Sequence, residues 1–195
     1  MPVKSDLIME ASKVQFKLIV AVCQDNGIGK DNNLPWRIKS ELAYFAKMTK
    51  TVCNFSKQNA VLMGRKTWES IPSRVKPLKN RINIVLTRQD KSKISEDENV
   101  LVCDSLENAF EVVDGMNDKI ETCWVIGGSS VYEEAMKNPK LERIYITNIM
   151  KDYECDTFLP AIPTVDWEMV EEKMVPKEMQ EEDGVKFEYK VFNRK

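Results

Sequence analysis

The chain alternates short apolar runs with polar, loop-forming stretches. "FKLIVAVCQ" at residues 16–24 is a continuous β-branched run, the pattern of a strand buried on both faces. "NAVLMG" (59–64), "RINIVLT" (81–87), "VLVC" (100–103), "CWVIGG" (123–128) and "LERIYITNI" (141–149) repeat that pattern. Helical periodicity lies between them. Over residues 36–52, a turn of about 100° per residue puts Ile38, Leu42, Phe45, Thr49 and Val52 on one face. Lys39, Ser40, Lys47 and Lys50 fall on the other. "RKTWESI" opens a short helix that Pro72 stops. "SLENAFEVVDG" reads as a helix started by Ser105 and closed by Gly115, and "SSVYEEAM" as another. Two alternating runs, "WEMVEEKMV" and "VKFEYKVF", predict antiparallel strands joined by the acidic turn "QEEDG".

Strands alternating with helices predict an α/β fold with a mostly parallel sheet and an antiparallel C-terminal edge. No repeat or low-complexity linker interrupts it. The expected organisation is an N-terminal extension over residues 1–15 and a single domain over residues 16–195. In such sheets ligands bind at the carboxyl ends of the strands, so those ends are where chemistry is sought.

Composition narrows the classes. Net charge is −2, which supplies no field for nucleic acid or an anionic membrane. The longest apolar run falls far short of the roughly 20 residues of a membrane span. The N-terminus lacks the apolar centre of a signal peptide. Five cysteines without a CxxC pair fit free thiols in a reducing compartment, so a cytoplasmic protein is expected. Histidine is absent. Ser-His-Asp and Cys-His nucleophile systems are thereby excluded, as is His-based zinc catalysis. Proton transfer must use a carboxylate, Lys, Tyr, Cys or water.

Several strand ends carry candidate chemistry. "VIGGSSVY" (125–132) is strand, paired glycines, helix. Glycines admit a ligand close to the backbone, and the helix start offers free N–H groups suited to a phosphate. A tight strand–helix turn explains the same residues. The spacing is not that of a G-x-G-x-x-G fingerprint, and "GRKT" (64–67) is not a P-loop. Arg65 and Lys66 follow the second strand, and Thr87 and Arg88 the third. If those strands are neighbours, two arginines converge on one spot, suited to a phosphate monoester. "CQDNGIGKDNNLPW" is a Gly- and Asn-rich loop that either closes over a ligand or simply crosses the surface. Glu41 sits at the edge of the apolar helix face. It is either a boundary charge or a carboxylate matched to two adjacent N–H donors on a flat heterocycle, with Trp36, Leu42 and Phe45 as an apolar wall.

Taken in order, "IVAVCQDNGIGKDNNLPW", "SELAYFAKMT", "VLMGRKTWESIP", "PLKNRINIVLTR", "VIGGSSVY" and "IYIT" closely resemble the dihydrofolate reductase family, of the longer eukaryotic type, over residues 16–193. The resemblance implies a central eight-stranded, mostly parallel sheet flanked by four helices. It implies NADPH-dependent reduction of 7,8-dihydrofolate to tetrahydrofolate by a monomer that also binds antifolates, with no nucleic-acid or membrane partner. Glu41 matches the family's active-site acid, which bonds the pterin's 2-amino and N3 edge and assists protonation at N5. Leu34 and Trp36 match mobile-loop residues at the site, Trp36 holding a water, and Thr147 matches the hydroxyl that serves the acid or the pterin amine. Ile19, Ala21, Leu42, Phe45, Ile71, Ile126 and Tyr132 match the pterin and benzoyl pocket. Arg81 matches the partner of the substrate's α-carboxylate. For the cofactor, Ala21 matches the nicotinamide region, and Ile28, Gly29, Lys66 and Val131 match cofactor-binding positions. Thr67, Gly127, Gly128, Ser129 and Ser130 match the pyrophosphate site, with a cis Gly127–Gly128 bond. Arg65, Thr87 and Arg88 match the pocket for the 2′-phosphate. Two departures stand out: Asn80 replaces a common glycine beside Arg81, and Asn32 and Asn33 replace Gly and Asp in the loop.

Overall fold

The computed structural model describes residues 13–195; residues 1–12 of the expected extension lie outside the described residues. Strands β1 (Gln15–Val22), β3 (Gln58–Gly64), β4 (Arg81–Leu86), β5 (Val100–Cys103), β6 (Ile120–Val125), β7 (Leu141–Ile149), β10 (Gln180–Glu182) and β11 (Val185–Arg194) form the path β10-β11-β7-β1-β6-β3-β4-β5. From β7 to β5 all pairings are parallel. β11 runs antiparallel to β7 and makes the C-terminal edge. Its outer side is shared by β10 and by β9 (Trp167–Val170). The helices are α1 (Lys39–Lys50), α2 (Arg65–Ser70), α3 (Leu106–Asp114) and α4 (Ser129–Lys137).

The apolar strands are buried on both faces, with strict alternation. Phe16, Leu18, Val20, Ala60 and Leu62 point into one core with Phe110, Ala109, Val131 and Ala135 of α3 and α4. Ile19, Val61, Met63, Val85 and Tyr145 point into the other with Tyr44 and Met48 of α1 and Trp68 of α2. That is why these strands read as unbroken hydrophobic runs. Val14 is also buried, and β1 accordingly begins at Gln15, one residue inside the segment expected to be an extension.

Four local expectations need correction. The first helix begins at Lys39 rather than Trp36, and it ends at Lys50 rather than Val52. Its first free N–H groups, on Lys39 and Ser40, donate to the Glu182 carboxylate at 2.7 Å each, a cap supplied from the far end of the chain. The helix is also rotated relative to the apolar pattern. Glu41, Tyr44, Met48 and Thr49 are buried while Leu42 is 46% exposed. Glu41 therefore lies on the buried face and not at its edge. The expected "QEEDG" turn is mostly strand: only Asp183 (φ 51°) and Gly184 (φ 75°) turn between β10 and β11. Finally, a second small sheet pairs β2 (Gly27–Gly29) with β8 (Thr157–Phe158). Nothing in the residue pattern announced it.

β3 and β6 are neighbours, yet the chain leaves them in opposite directions, β3 toward β4 and β6 toward β7. That divergence opens a crevice at the carboxyl ends of the strands.

Candidate active site

The crevice holds a cleft of about 160 Å³. It is lined by Val20 and Ala21 of β1, by Ile28, Gly29, Asn32, Asn33 and Leu34 of the following loop, and by Thr67 and Ser70 of α2. Ile126, Gly127, Gly128 and Tyr132 close another side, and Thr157 of β8 completes it.

The glycines let the ends of β3 and β6 meet. The Gly64 N–H donates to the Gly127 carbonyl at 2.7 Å. A Cβ at Gly64 would stand 3.2 Å from Val131 Cγ2, and one at Gly128 would stand 3.3 Å from Thr67 Oγ1. The starts of α2 and α4 are thus pressed together with the Thr67 hydroxyl between them. The Gly127–Gly128 bond is cis. Tyr132 is buried, and its hydroxyl donates to the Ile19 carbonyl at 3.0 Å.

Glu41 lies beside this cleft. It is 5% exposed, and the buried Thr147 hydroxyl donates to its Oε1 at 3.3 Å. Thr147 is the cross-strand partner of Ala21, a lining residue. Burial drives the Glu41 pKa from an ordinary 4.5 up to about 7, and the Thr147 hydrogen bond offsets only part of that rise. Burial raises the Tyr44, Tyr132 and Tyr189 hydroxyls too, with the nearby Glu41 charge contributing at each. An acid poised near neutrality in a mostly apolar wall can exchange a proton with a bound group.

A second buried charge stands on β4. Arg81 is 5% exposed; its Nη1 donates to Thr49 Oγ1 at 2.8 Å and its Nε to the Lys79 carbonyl at 3.2 Å. No carboxylate pairs with it among the described residues. Burial lowers its pKa to about 10, which leaves it charged at neutral pH.

A profile described as "Dihydrofolate reductase" matches residues 15–194. The chain belongs to the dihydrofolate reductase family. It is 48% identical to the dihydrofolate reductase of Drosophila melanogaster over 93% of this chain and 98% of that protein. Against the Gallus gallus enzyme the identity is 43%, covering 90% and 94%. A solved Schistosoma mansoni dihydrofolate reductase superposes with a TM-score of 0.81 at 34% identity, over 93% of this chain and 99% of that one.

Of the residues singled out from sequence, the dihydrofolate reductase cleft gathers Ala21, Ile28, Gly29, Leu34, Thr67, Ile126, Gly127, Gly128 and Tyr132. Glu41, Thr147, Ile19, Phe45, Ile71 and Arg81 do not line that cavity. Ile19, Phe45 and Ile71 share one packed cluster with Tyr44 and Trp68. Trp36 is buried in a different cluster with Cys23 and Phe187, and its Nε1 has no partner among the described residues. Gly64 and Leu86 are register partners, so Arg65 and Thr87 do emerge side by side. Arg65 pairs with Glu69 within α2, while Lys66, Arg88 and Ser130 are exposed. Ser129 Oγ donates to the Phe158 carbonyl at 2.6 Å, and Val131 is buried under Gly64.

Sequence reasoning did not select Val20, Ser70, Asn32, Asn33 or Thr157 as lining residues. Ser70 lies three residues after Thr67, a helical spacing that could have flagged it. Thr157 had no such signal, because its two-residue strand reaches the cleft only by pairing with β2.

Proposed function

We propose that this enzyme reduces 7,8-dihydrofolate to 5,6,7,8-tetrahydrofolate with NADPH, acting as a cytoplasmic monomer that supports one-carbon metabolism and thymidylate synthesis. Antifolates would occupy the same site, and neither nucleic acid nor a membrane is required. No helix among the described residues is long and apolar enough to cross a membrane. The observation that carries the reading is the buried, half-protonated Glu41 bonded by Thr147 next to a cleft residue.

Glu41 and Thr147 together offer the acceptors and donor that a pterin's amino and N3 edge needs. With a pKa near 7, Glu41 is protonated often enough at neutral pH to release a proton toward N5 through water, and Trp36 Nε1 is a donor available to hold that water. Leu42 and Phe45 flank the pterin and benzoyl groups. Arg81, buried and without a carboxylate partner among the described residues, takes the α-carboxylate of the glutamyl tail.

The glycines support a dinucleotide site: a Cβ at Gly64 would crowd Val131 and one at Gly128 the Thr67 hydroxyl, so the starts of α2 and α4 stay close enough to offer their N–H groups to one ligand. Thr67, Lys66 and the 127–131 turn would hold its pyrophosphate, Ala21, Ile28 and Gly29 its nicotinamide, and Arg65, Thr87 and Arg88 its 2′-phosphate. Held there, NADPH would supply the hydride for reduction at C6 of the pterin. The loop from Ile28 to Leu34 excludes water from the cleft.

The test is direct. Full-length protein mixed with dihydrofolate and NADPH should consume the reduced-nicotinamide absorbance at neutral and mildly acidic pH. No turnover across that range would reject the reading.

A further inference from the structure

Cys23 directly follows β1 and Cys155 lies two residues before β8, yet their sulfurs are 3.5 Å apart. Both converge on Gly27. A Cβ there would stand 2.6 Å from Cys155 Sγ and 2.8 Å from Cys23 Sγ, so only glycine leaves room for the pair. The two thiols are held in register by bonds on either side. Lys30 pairs with Glu154, the Asp31 N–H donates to Asp156, and the Asp156 N–H donates to the Gly29 carbonyl at 3.0 Å. Cys23 is 2% exposed, whereas Cys155 is half-buried. Cys155 is therefore the more accessible of the two residues to a small oxidant.

We propose that Cys23 and Cys155 form a reversible disulfide that fixes the cleft loop in response to hydroperoxides. The Cys155 thiolate attacks the hydroperoxide, forming an S–O bond as the O–O bond breaks and an alcohol or water leaves. The Cys23 sulfur then attacks the resulting sulfenic acid. The S–S bond forms, the S–O bond breaks, and the departing hydroxide takes the proton that Cys23 loses. The sum is two thiols and one hydroperoxide giving one disulfide, one alcohol or water, and one further water. Closing the bond requires the sulfurs to approach by about 1.5 Å, to the usual S–S distance near 2.05 Å. Burial and the neighbouring Cys155 push the Cys23 thiol up to about 11, so Cys23 does not start the reaction and acts as the resolving thiol. A dithiol reductant reverses the bond by exchange.

The bond would tie the end of β1, where the cleft loop begins, to the segment leading into β8, which pairs with β2 of that loop. Gly29, Leu34 and Thr157 all line the cleft. The functional consequence rests on the dihydrofolate reading of that cleft: a fixed loop slows ligand entry or release.

The experiment treats the reduced full-length protein with hydrogen peroxide, quenches by alkylation, and reads intact mass, non-reducing peptide maps and kcat. The expected result is the loss of two hydrogens, a single cross-linked peptide joining Cys23 and Cys155, and a several-fold fall in kcat, all restored by dithiothreitol. C23S should instead accumulate a sulfenic acid on Cys155 that dimedone traps, and C155S should leave Cys23 unmodified. No cross-link, a cross-link between other cysteines, or a persistent Cys155 sulfenic acid in the unmutated protein would overturn the pair. An unchanged kcat in the cross-linked protein would overturn the regulation. The mass readout stands even if the reduced protein has no folate turnover, so the two readings fail separately.

Discussion

The Thr147 hydroxyl donates to Glu41 Oε1 at 3.3 Å, between two side chains from elements 106 residues apart in the chain. Both are almost fully removed from water. A buried carboxylate whose hydrogen-bond partner among the described residues is one hydroxyl is poorly compensated, and so Glu41 keeps its proton up to about pH 7.

Stability should therefore depend on pH through Glu41 in a defined direction. Its native pKa lies above the ordinary 4.5, so the folded protein binds this proton more tightly than the unfolded chain does. The stabilisation from that proton is full below pH 4.5 and is lost as pH rises through about 7, by about 3 kcal/mol at most. Glu41→Gln should remove this dependence and be the more stable protein above pH 7. Urea midpoints at steps from pH 4.5 to 8 would show it. Parallel curves for the two proteins would contradict the burial argument.

Catalysis should fail in the same variant while the cofactor still binds. Glutamine keeps the shape and one acceptor but releases no proton, so kcat should fall by roughly 10²–10⁴-fold. NADPH affinity, read by fluorescence titration, should stay within about twofold, because the cofactor cradle is built from other residues. A variant that retains full turnover would remove Glu41 from the proton path.

The sequence made some of this legible and hid the rest for physical reasons. β1, β3, β4 and β7 declared themselves because both faces are buried, which leaves few polar interruptions. The Ser105 cap was readable because its partner, the Asn108 N–H, is three residues away. The start of α1 was not, because Glu182 supplies the cap. The rotation of α1 was also hidden: Leu42 is the more apolar residue, but Tyr44 and Glu41 find partners on β7 and β11 and take the inner positions. Likewise Thr157 reaches the cleft, and Cys155 reaches Cys23, through pairings between distant segments.

Arg81 provides a test of how the substrate's tail is held. Its guanidinium is anchored by Thr49 and the Lys79 carbonyl but has no internal carboxylate among the described residues. Arg81→Met should weaken dihydrofolate by roughly 1.5–3 kcal/mol, the worth of a charge-assisted hydrogen bond, seen as a higher KM with little change in kcat. A dihydropterin without a glutamyl tail should bind both proteins alike. Equal losses for the two substrates would mean that the substitution acts through the fold.

Cofactor choice should respond to Arg88 more than to Arg65. Arg65 is already paired with Glu69 in α2, whereas Arg88 is exposed just past β4, with no ion pair among the described residues. Arg88→Ala should cost NADPH about 1–3 kcal/mol of affinity and NADH almost nothing. Titration of both cofactors into both variants reads this. An equal loss for NADH would place the Arg88 contact somewhere other than the 2′-phosphate.

Gly127 and Gly184 separate backbone strain from crowding. Both have positive φ, 120° and 75°, which an L side chain adopts only at a cost of about 1–3 kcal/mol. A Cβ at Gly184 would meet nothing within 4 Å among the described residues, but one at Gly127 would press on the Tyr132 ring at 3.3 Å. That ring is fully packed, and its hydroxyl holds the Ile19 carbonyl, so it cannot retreat without breaking a buried hydrogen bond. Gly184→Ala should therefore lower stability by the conformational cost alone and leave kcat/KM unchanged. Gly127→Ala should lower stability further and also reduce kcat/KM, because Tyr132 and Gly127 both line the cleft. Urea midpoints and steady-state kinetics on the two variants decide it. If Gly184→Ala were the more damaging of the two, packing of Tyr132 against Gly127 would not be what shapes this wall of the site.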